Sequence, residues 1–319
     1  MLVLWALALV LPFTLASYFV FQATIVLCYA LALLGLVVIT GYAGQLALGN
    51  GAFFAVGAFT TASLMSGFDV GFLPTVCLAA TVSFVFGLLL GGPALRLKGH
   101  FLAVSTLAIG VSAPPIMKHF ESFSGGVRGI NLITPDPPAW LHLDPVQGRY
   151  FLALALFAVA TAVTGIILNG HIGRNLKAVR DNEMIAASLG IRAEQVKVTA
   201  FAYSAVLASV GGSMYALAVG YVTTEAFTIG FAAMLVIGLV IGGKDSVMGA
   251  VIGAAFIVGA PILAASIDPA LSGVTFAVIV IVMMLVLPQG TAGAVRWLLA
   301  RRAERSVAAN TPQTQEILK

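Results

Sequence analysis

Residues 1–68, MLVLWALALVLPFTLASYFVFQATIVLCYALALLGLVVITGYAGQLALGNGAFFAVGAFTTASLMSGF, contain no Asp, Glu, Lys, Arg or His. A soluble domain carries about one charged residue in four, so this stretch belongs in lipid. As helix it would extend roughly 100 Å, about three crossings of a ~30 Å hydrocarbon core. The rest of the chain continues the pattern, with 319 residues of which 60% are hydrophobic and 9% charged. The expected fold class is therefore all-α, a polytopic integral membrane helix bundle. The first residues, MLVLWALALVLPFTLAS, have an apolar core with no basic segment before it, and read as a retained first span rather than a cleaved signal.

Apolar runs long enough to cross recur at 2–20, 22–39, 51–66, 72–92, 101–117, 150–168, 199–218, 227–242, 248–267 and 272–287. Three of these are short or interrupted (51–66, the Pro114–Pro115 end of 101–117, and 227–242), so about 8–10 transmembrane helices are expected. Short, glycine- or proline-interrupted spans are also what the broken helices of transporters look like. The two cysteines, Cys28 and Cys77, lie inside apolar runs, where packing is the expected role. Gly87–Gly91, Gly238–Gly242 and Gly249–Gly253 have the GxxxG spacing of close helix pairs, a spacing that 34 glycines also produce by chance.

Between two of these runs lies a polar island, 171–198, HIGRNLKAVRDNEMIAASLGIRAEQVKV. It holds eight of the 28 charged side chains, taking 16 Lys+Arg with 12 Asp+Glu. At ~100° per residue Arg174, Lys177, Arg180 and Asp181 share one face, and Leu176, Val179, Ala186 and Ala187 the adjoining one. Gly190 follows the last apolar residue where a left-handed C-terminal residue is common, so one amphipathic helix is expected from Arg174 to Leu189. Glu183 is the exception, a carboxylate within the apolar arc. An amphipathic helix flanked by membrane spans lies outside the bilayer and must dock. Leu176, Val179, Ala186 and Ala187 offer little bulky apolar surface and no aromatic residue occurs between His171 and Thr199, which favours a protein groove over a lipid surface.

Basic residues set the orientation. With the N-terminus inside, 13 of the 16 Lys and Arg fall on the cytoplasmic side (Arg96, Lys98, the five of the island, Lys244, Arg296, Arg301, Arg302, Arg305 and Lys319), and Lys118, Arg128 and Arg149 fall outside. Both termini are then cytoplasmic. The domain reading is one transmembrane domain over 1–305, with an external loop at 118–149 and a polar cytoplasmic tail at 306–319.

No span carries a mid-membrane acid, as an ion-driven carrier would be expected to. His100, His119, His142 and His171 lie at the ends of different runs without metal-ligand spacing, so no metal site and no cofactor are expected. Gly238 to Asp245 reads GLVIGGKD, which matches GxxxxGK but has Asp245 where a phosphate-binding loop needs Ser or Thr. The chain is not expected to hydrolyse ATP, and nothing in it suggests an enzyme or a nucleic-acid partner. The second informative stretch is 41–59, GYAGQLALGNGAFFAVGAF, where Gly41, Gly44, Gly49 and Gly51 interrupt helix beside the polar Gln45 and Asn50. Unwound backbone survives at membrane depth only where it is buried in protein or lines a cavity. The segment therefore reads as part of a translocation path or as a seat for tight helix packing.

The stretches GYAGQLALGNGAFFAVGAF (41–59), GRNLKAVRDNEMIAASLGIRAEQVKVTAFAYSAVLASVGGSMYA (173–216) and GGKDSVMGAVIGAAF (242–256) resemble the permease subunits of branched-chain amino-acid ABC importers, of the LivM type. The resemblance implies a bacterial cytoplasmic-membrane subunit that translocates branched-chain or related amino acids. Its implied partners are a LivH-like second permease, two cytoplasmic ATPase subunits and an extracytoplasmic substrate-binding protein, with membrane lipid around them. It also implies that Arg174, Arg180, Asp181, Glu183, Ala186, Ala187 and Gly190 form the coupling region for the ATPase. Urea and short-chain amide importers share this plan and remain an alternative. A secondary carrier or channel, and a membrane-embedded enzyme, are the readings from other classes.

Overall fold

The structure is a computed structural model. It describes residues 2–45, 47–68, 70–95, 100–126, 128–132, 134, 143–244, 246–286 and 290–291. Arg96, Lys98, the loop centre with Asp136 and His142, Asp245 and the tail from Arg296 with 306–319 lie outside the described residues.

The described chain is helical almost throughout, because in lipid each helix satisfies its own backbone polar groups. The helices are α1 (Leu2–Thr14), α2 (Ser17–Leu36), α3 (Asn50–Phe68), α4 (Phe72–Leu95), α5 (His100–His119), α6 (Glu121–Ser124), α7 (Pro145–Asn169), α8 (His171–Asp181), α9 (Glu183–Ser188), α10 (Ala193–Val219), α11 (Ile229–Gly242), α12 (Val247–Ile267) and α13 (Ser272–Val286). A π-helical turn, Val37–Tyr42, extends α2. Two short strands, β1 (Ile130–Asn131) and β2 (Tyr221–Val222), pair antiparallel with Ile130 opposite Val222.

Among the described residues, six helices are long and apolar enough to cross a membrane: Ser17–Tyr42, Asn50–Phe68, Phe72–Gly92, Pro145–Asn169, Ala193–Val219 and Val247–Ile267. Three further helices are short over their described residues. Helix α1 has 13 residues, α11 has 14 and α13 has 15, which is roughly 20–22 Å of a ~30 Å core. The first boundary also moves. The apolar run 2–20 divides at Leu15–Ala16, where Ala16 is extended (φ −61°, ψ 149°), and α2 starts at Ser17 rather than at Gln22. Helix α1 lies on the start of α7, with Tyr150 Oη donating to Ala8 O at 2.8 Å and Gln147 Nε2 to Pro12 O at 3.1 Å.

Helix α10 is the axis of the bundle and packs against α2, α3 and α4. Small residues permit this closeness. A Cβ on Gly35 would lie 2.7 Å from Ser204 O, and one on Gly87 2.8 Å from Ala202 Cα. Gly57 faces the Ser209 carbonyl and Gly212 the Phe54 carbonyl too closely for any side chain. Lipid supplies no hydrophobic force between helices, so backbone approach and buried hydrogen bonds hold them together. Ser213 Oγ donates to Gly57 O at 3.2 Å. Toward the other end of α10 a cluster of Tyr29, Phe54, Tyr215, Phe227 and Phe231 fills the space, with Tyr29 and Tyr215 stacked at 6.0 Å and 18°.

The GxxxG spacings are used. Gly238 and Gly242 of α11 meet Gly249 and Gly253 of α12 backbone to backbone, Gly249 against Gly243 O at 2.5 Å for an added Cβ. Gly87 and Gly91 instead seat α4 on Ala202 and Phe201 of α10.

One end of the bundle gathers the β1–β2 ribbon, α6 and the end of α5. There Lys118 Nζ lies 3.8 Å from Glu225 Oε1, and Arg149 Nη1 donates to Ala218 O at 3.1 Å. The opposite end carries α8, α9 and the end of α2.

Candidate functional site

Helix α8 turns sharply off α7. Gly170 is extended between them, and Gly173 faces the Leu168 carbonyl with no room for a side chain. Leu176 and Val179 are then buried against the bundle, and Leu176 clusters with Val38, Ala43, Leu168 and Ala200. The single helix expected from Arg174 to Leu189 is in fact two. Asn182 is extended (φ −159°, ψ 110°), and its Oδ1 accepts from Met184 N at 3.0 Å and Ile185 N at 3.2 Å, so it ends α8 and caps α9. Asparagine competes for backbone donors in this way wherever the chain can bend. Asn followed by Glu in 182–183 was the local signal for this break. The far end is as expected. Gly190 is left-handed (φ 80°), and Ile191 N donates to Ala186 O at 3.0 Å, closing a Schellman turn.

The bend changes which side chains face outward. Ala186 is buried within the chain while Ala187 is exposed. The outward surface of α9 is Met184, Ile185 and Leu189, which are 81%, 59% and 72% exposed. A periodicity that ran unbroken through Asn182 could not single them out. Glu183 has a donor within the chain: Lys197 Nζ of α10 lies 2.8 Å from its Oε2. Arg174 and Asp181 are exposed, and Asp181 Oδ1 accepts from Arg180 Nε at 3.2 Å.

The glycine break begins at the same end. The π-helical turn closes with Ala43 N donating to Val38 O at 3.2 Å, and Gln45 N to Ile39 O at 3.0 Å. Gly44 then turns the chain with φ 69°, a conformation that a residue with a Cβ adopts only with strain. Leu48 N donates to Thr106 Oγ1 of α5 at 3.1 Å, and a Cβ on Gly49 would lie 2.8 Å from Thr106 O. Asn50 starts α3 and exchanges hydrogen bonds with Ser204 of α10, at 2.8 and 3.2 Å. Gly51 packs on Ala232 and Phe231 of α11. Gln45 Oε1 is buried without a hydrogen-bond partner among the described residues.

Two stretches 130 residues apart thus become one site. Arg180 Nη1 donates to Gly41 O at 2.7 Å. An added Cβ on Gly44 would sit 2.6 Å from Arg180 Cγ, and Lys177 Nζ lies 5.2 Å from the centre of the Tyr42 ring. The structure brings Arg180 to Gly41 and Gly44, and leaves Arg174, Asp181 and Gly190 on the outer side of the unit. No group of His, Cys, Asp and Glu suited to a metal occurs among the described residues.

Residues 18–287 match the family of branched-chain amino acid transport system permease components. The chain is 32% identical over 282 residues to the high-affinity branched-chain amino acid transport system permease protein LivM of Salmonella typhimurium strain LT2, covering 81% of this chain and 66% of that protein. It is 32% identical over 279 residues to the LivM of Escherichia coli K12, covering 80% of this chain and 65% of that one. The chain therefore spans just under two thirds of the length of these relatives. A shorter match, 29% over 125 residues, is to the autoinducer 2 import system permease protein LsrC of Photorhabdus luminescens, covering 38% of this chain and 36% of that protein. No solved structure matches.

Proposed function

We propose a function on one premise: the chain belongs to the family of branched-chain amino acid transport system permease components. It is a multi-pass membrane protein, and its role is transport. The chain is the membrane subunit of an ABC importer in the bacterial cytoplasmic membrane. It passes branched-chain amino acids delivered by an extracytoplasmic binding protein, paired with a second permease and driven by two cytoplasmic ATPase subunits. Both termini and the α8–α9 unit are cytoplasmic, and the β1–β2 ribbon is external.

The observation that carries this reading is the surface of α9. Met184, Ile185 and Leu189 stand largely exposed on a unit otherwise rich in charge and tied down on its inner face. Three apolar side chains in solvent at the end of a membrane bundle are anchors for a protein groove. Arg174 and Asp181 flank them for charge pairing, and Gly190 lets the chain leave α9 without shielding them. The segment Gly41–Gly51 belongs to the same proposal as the inner part of the translocation path. Gln45 supports it with a buried oxygen that has no partner among the described residues, a polar group that costs free energy unless something meets it.

Replacing Met184 and Leu189 by Asp tests the reading. The double variant is expected to lose its ATPase subunits on affinity purification and to lose amino-acid uptake, while the binding protein still binds its amino acid. Full uptake with the ATPases retained would show that α9 is a solvated surface only. Orientation is checked by an impermeant thiol reagent applied from outside, which is expected to modify Phe120→Cys and miss Asp181→Cys. The reverse pattern would invert the topology.

A further inference from the structure

We infer that Arg180 is a positioning residue that passes movement of α8–α9 through the glycine break to α5. The inference rests on the importer reading above and adds an internal route for the motion.

Arg180 occupies the last turn of α8, immediately before the bend at Asn182. Its side chain turns inward to the end of the π-helical turn, where Nη1 donates to Gly41 O at 2.7 Å. Carbonyls at a helix end lack the next turn's N–H, and a guanidinium is a strong donor for one. The stem of the same side chain lies over Gly44, where a Cβ would come within 2.6 Å of Arg180 Cγ. Gly44 therefore serves Arg180 twice, by taking φ 69° and by leaving a seat for the stem.

The other end of the segment is held by α5. Leu48 N donates to Thr106 Oγ1 at 3.1 Å, and an added Cβ on Gly110 would lie 3.3 Å from Leu48 O. At Asn50 the chain is fixed again, by the paired hydrogen bonds to Ser204 of α10. Between the Arg180 seat and the α5 contact lie only three residues, 45–47, and three residues can span at most about 10 Å. So short a segment, gripped at both ends, cannot absorb a shift of α8 by slack. Either Arg180 lets go of Gly41 or the α5 contact moves with it. Val104, Val111, Ser112 and Ile116 of α5 are exposed in this chain, so a label at position 112 can report on it.

The test uses the intact complex with its ATPases in lipid nanodiscs or vesicles. It compares wild type with Arg180→Gln and Arg180→Lys. Three readouts are taken: ATP hydrolysis stimulated by loaded binding protein, amino acid transported per ATP, and the effect of ATP on the labelling rate of Ser112→Cys on α5. Arg180→Gln is expected to keep its ATPases and to hydrolyse ATP within about twofold of wild type. Transport per ATP is expected to fall about tenfold, and the ATP effect at position 112 to vanish. Arg180→Lys, which can still donate to Gly41 O, is expected to recover a substantial part of both. If Arg180→Gln destabilises the chain, Gly44→Ala removes the seat while keeping the charge and is expected to uncouple in the same way. Unchanged transport per ATP in Arg180→Gln overturns the inference. So does a parallel loss of transport, hydrolysis and bound ATPase, since that marks Arg180 as a contact for the ATPase itself. Failure of the wild-type complex to retain ATPases or respond to ATP would instead overturn the importer reading.

Discussion

The α11–α12 pair and the segment Gly41–Gly51 are both rich in glycine and use it for opposite ends. In α11 and α12, Gly238, Gly242, Gly249 and Gly253 are helical, and what matters is the missing side chain: the two backbones lie against each other. In the break, Gly44 matters for its conformation, φ 69°, and Gly49 for the approach of α5. One region turns glycine into rigidity, the other into a bend held by hydrogen bonds: Arg180 donates to Gly41 O, Leu48 N donates to Thr106, and Asn50 is paired with Ser204. The same residue in one chain thus locks two helices together and interrupts a third. Which it does depends on what packs against it, not on its spacing.

The sharpest way to break this comparison is to fill the locked pair. Gly242→Leu is expected to push α11 from the Gly249 carbonyl and to cost roughly 3 kcal/mol or more. Thermal aggregation of the purified protein in detergent would show it as a large drop in the midpoint. Gly259→Leu on the same α12, where an added side chain meets nothing within 4 Å, is expected to leave the midpoint nearly unchanged. Equal effects at the two sites would mean that helix propensity and not contact governs α12. A smaller effect is expected in the break, where Gly44→Ala forces a side chain into the left-handed region at about 1–2 kcal/mol. Its signature is functional: uptake falls more than the melting midpoint does. If the midpoint falls as far as in Gly242→Leu, the break is structural packing after all. Thr106→Val keeps volume and removes the acceptor for Leu48 N together with the hydroxyl's own bond to Ala103 O within α5, and is expected to cost about 1 kcal/mol. Hydrogen exchange at Leu48 should speed up while α11 and α12 keep their protection; an unchanged rate would mean that α5 does not hold the break.

The membrane character of the bundle could be read directly, since 68 residues without charge leave a chain no other solvent. The α8–α9 unit was partly legible. Its charges marked it as extramembrane, and Gly190 fell at the C-terminal position where the structure has it. The bend at Asn182 was not foreseen, because an uninterrupted 3.6-residue period fitted the letters equally well. That error hid Met184, Ile185 and Leu189, and left Glu183 as an exception in the apolar arc where the structure pairs it with Lys197 of α10.

By itself, then, the sequence determined what each segment is dissolved in, because transfer from water to lipid acts on local composition and needs no partner. It determined the family for the same reason, through runs of residues that stand together in the chain. Only the tertiary structure decided which apolar face turns inward and which outward. It alone decided which GxxxG is a lock, and that Arg180 meets Gly41, 139 positions away. Those are pairings across the fold, and a hydrogen bond or a backbone contact has no energy until both partners are in place.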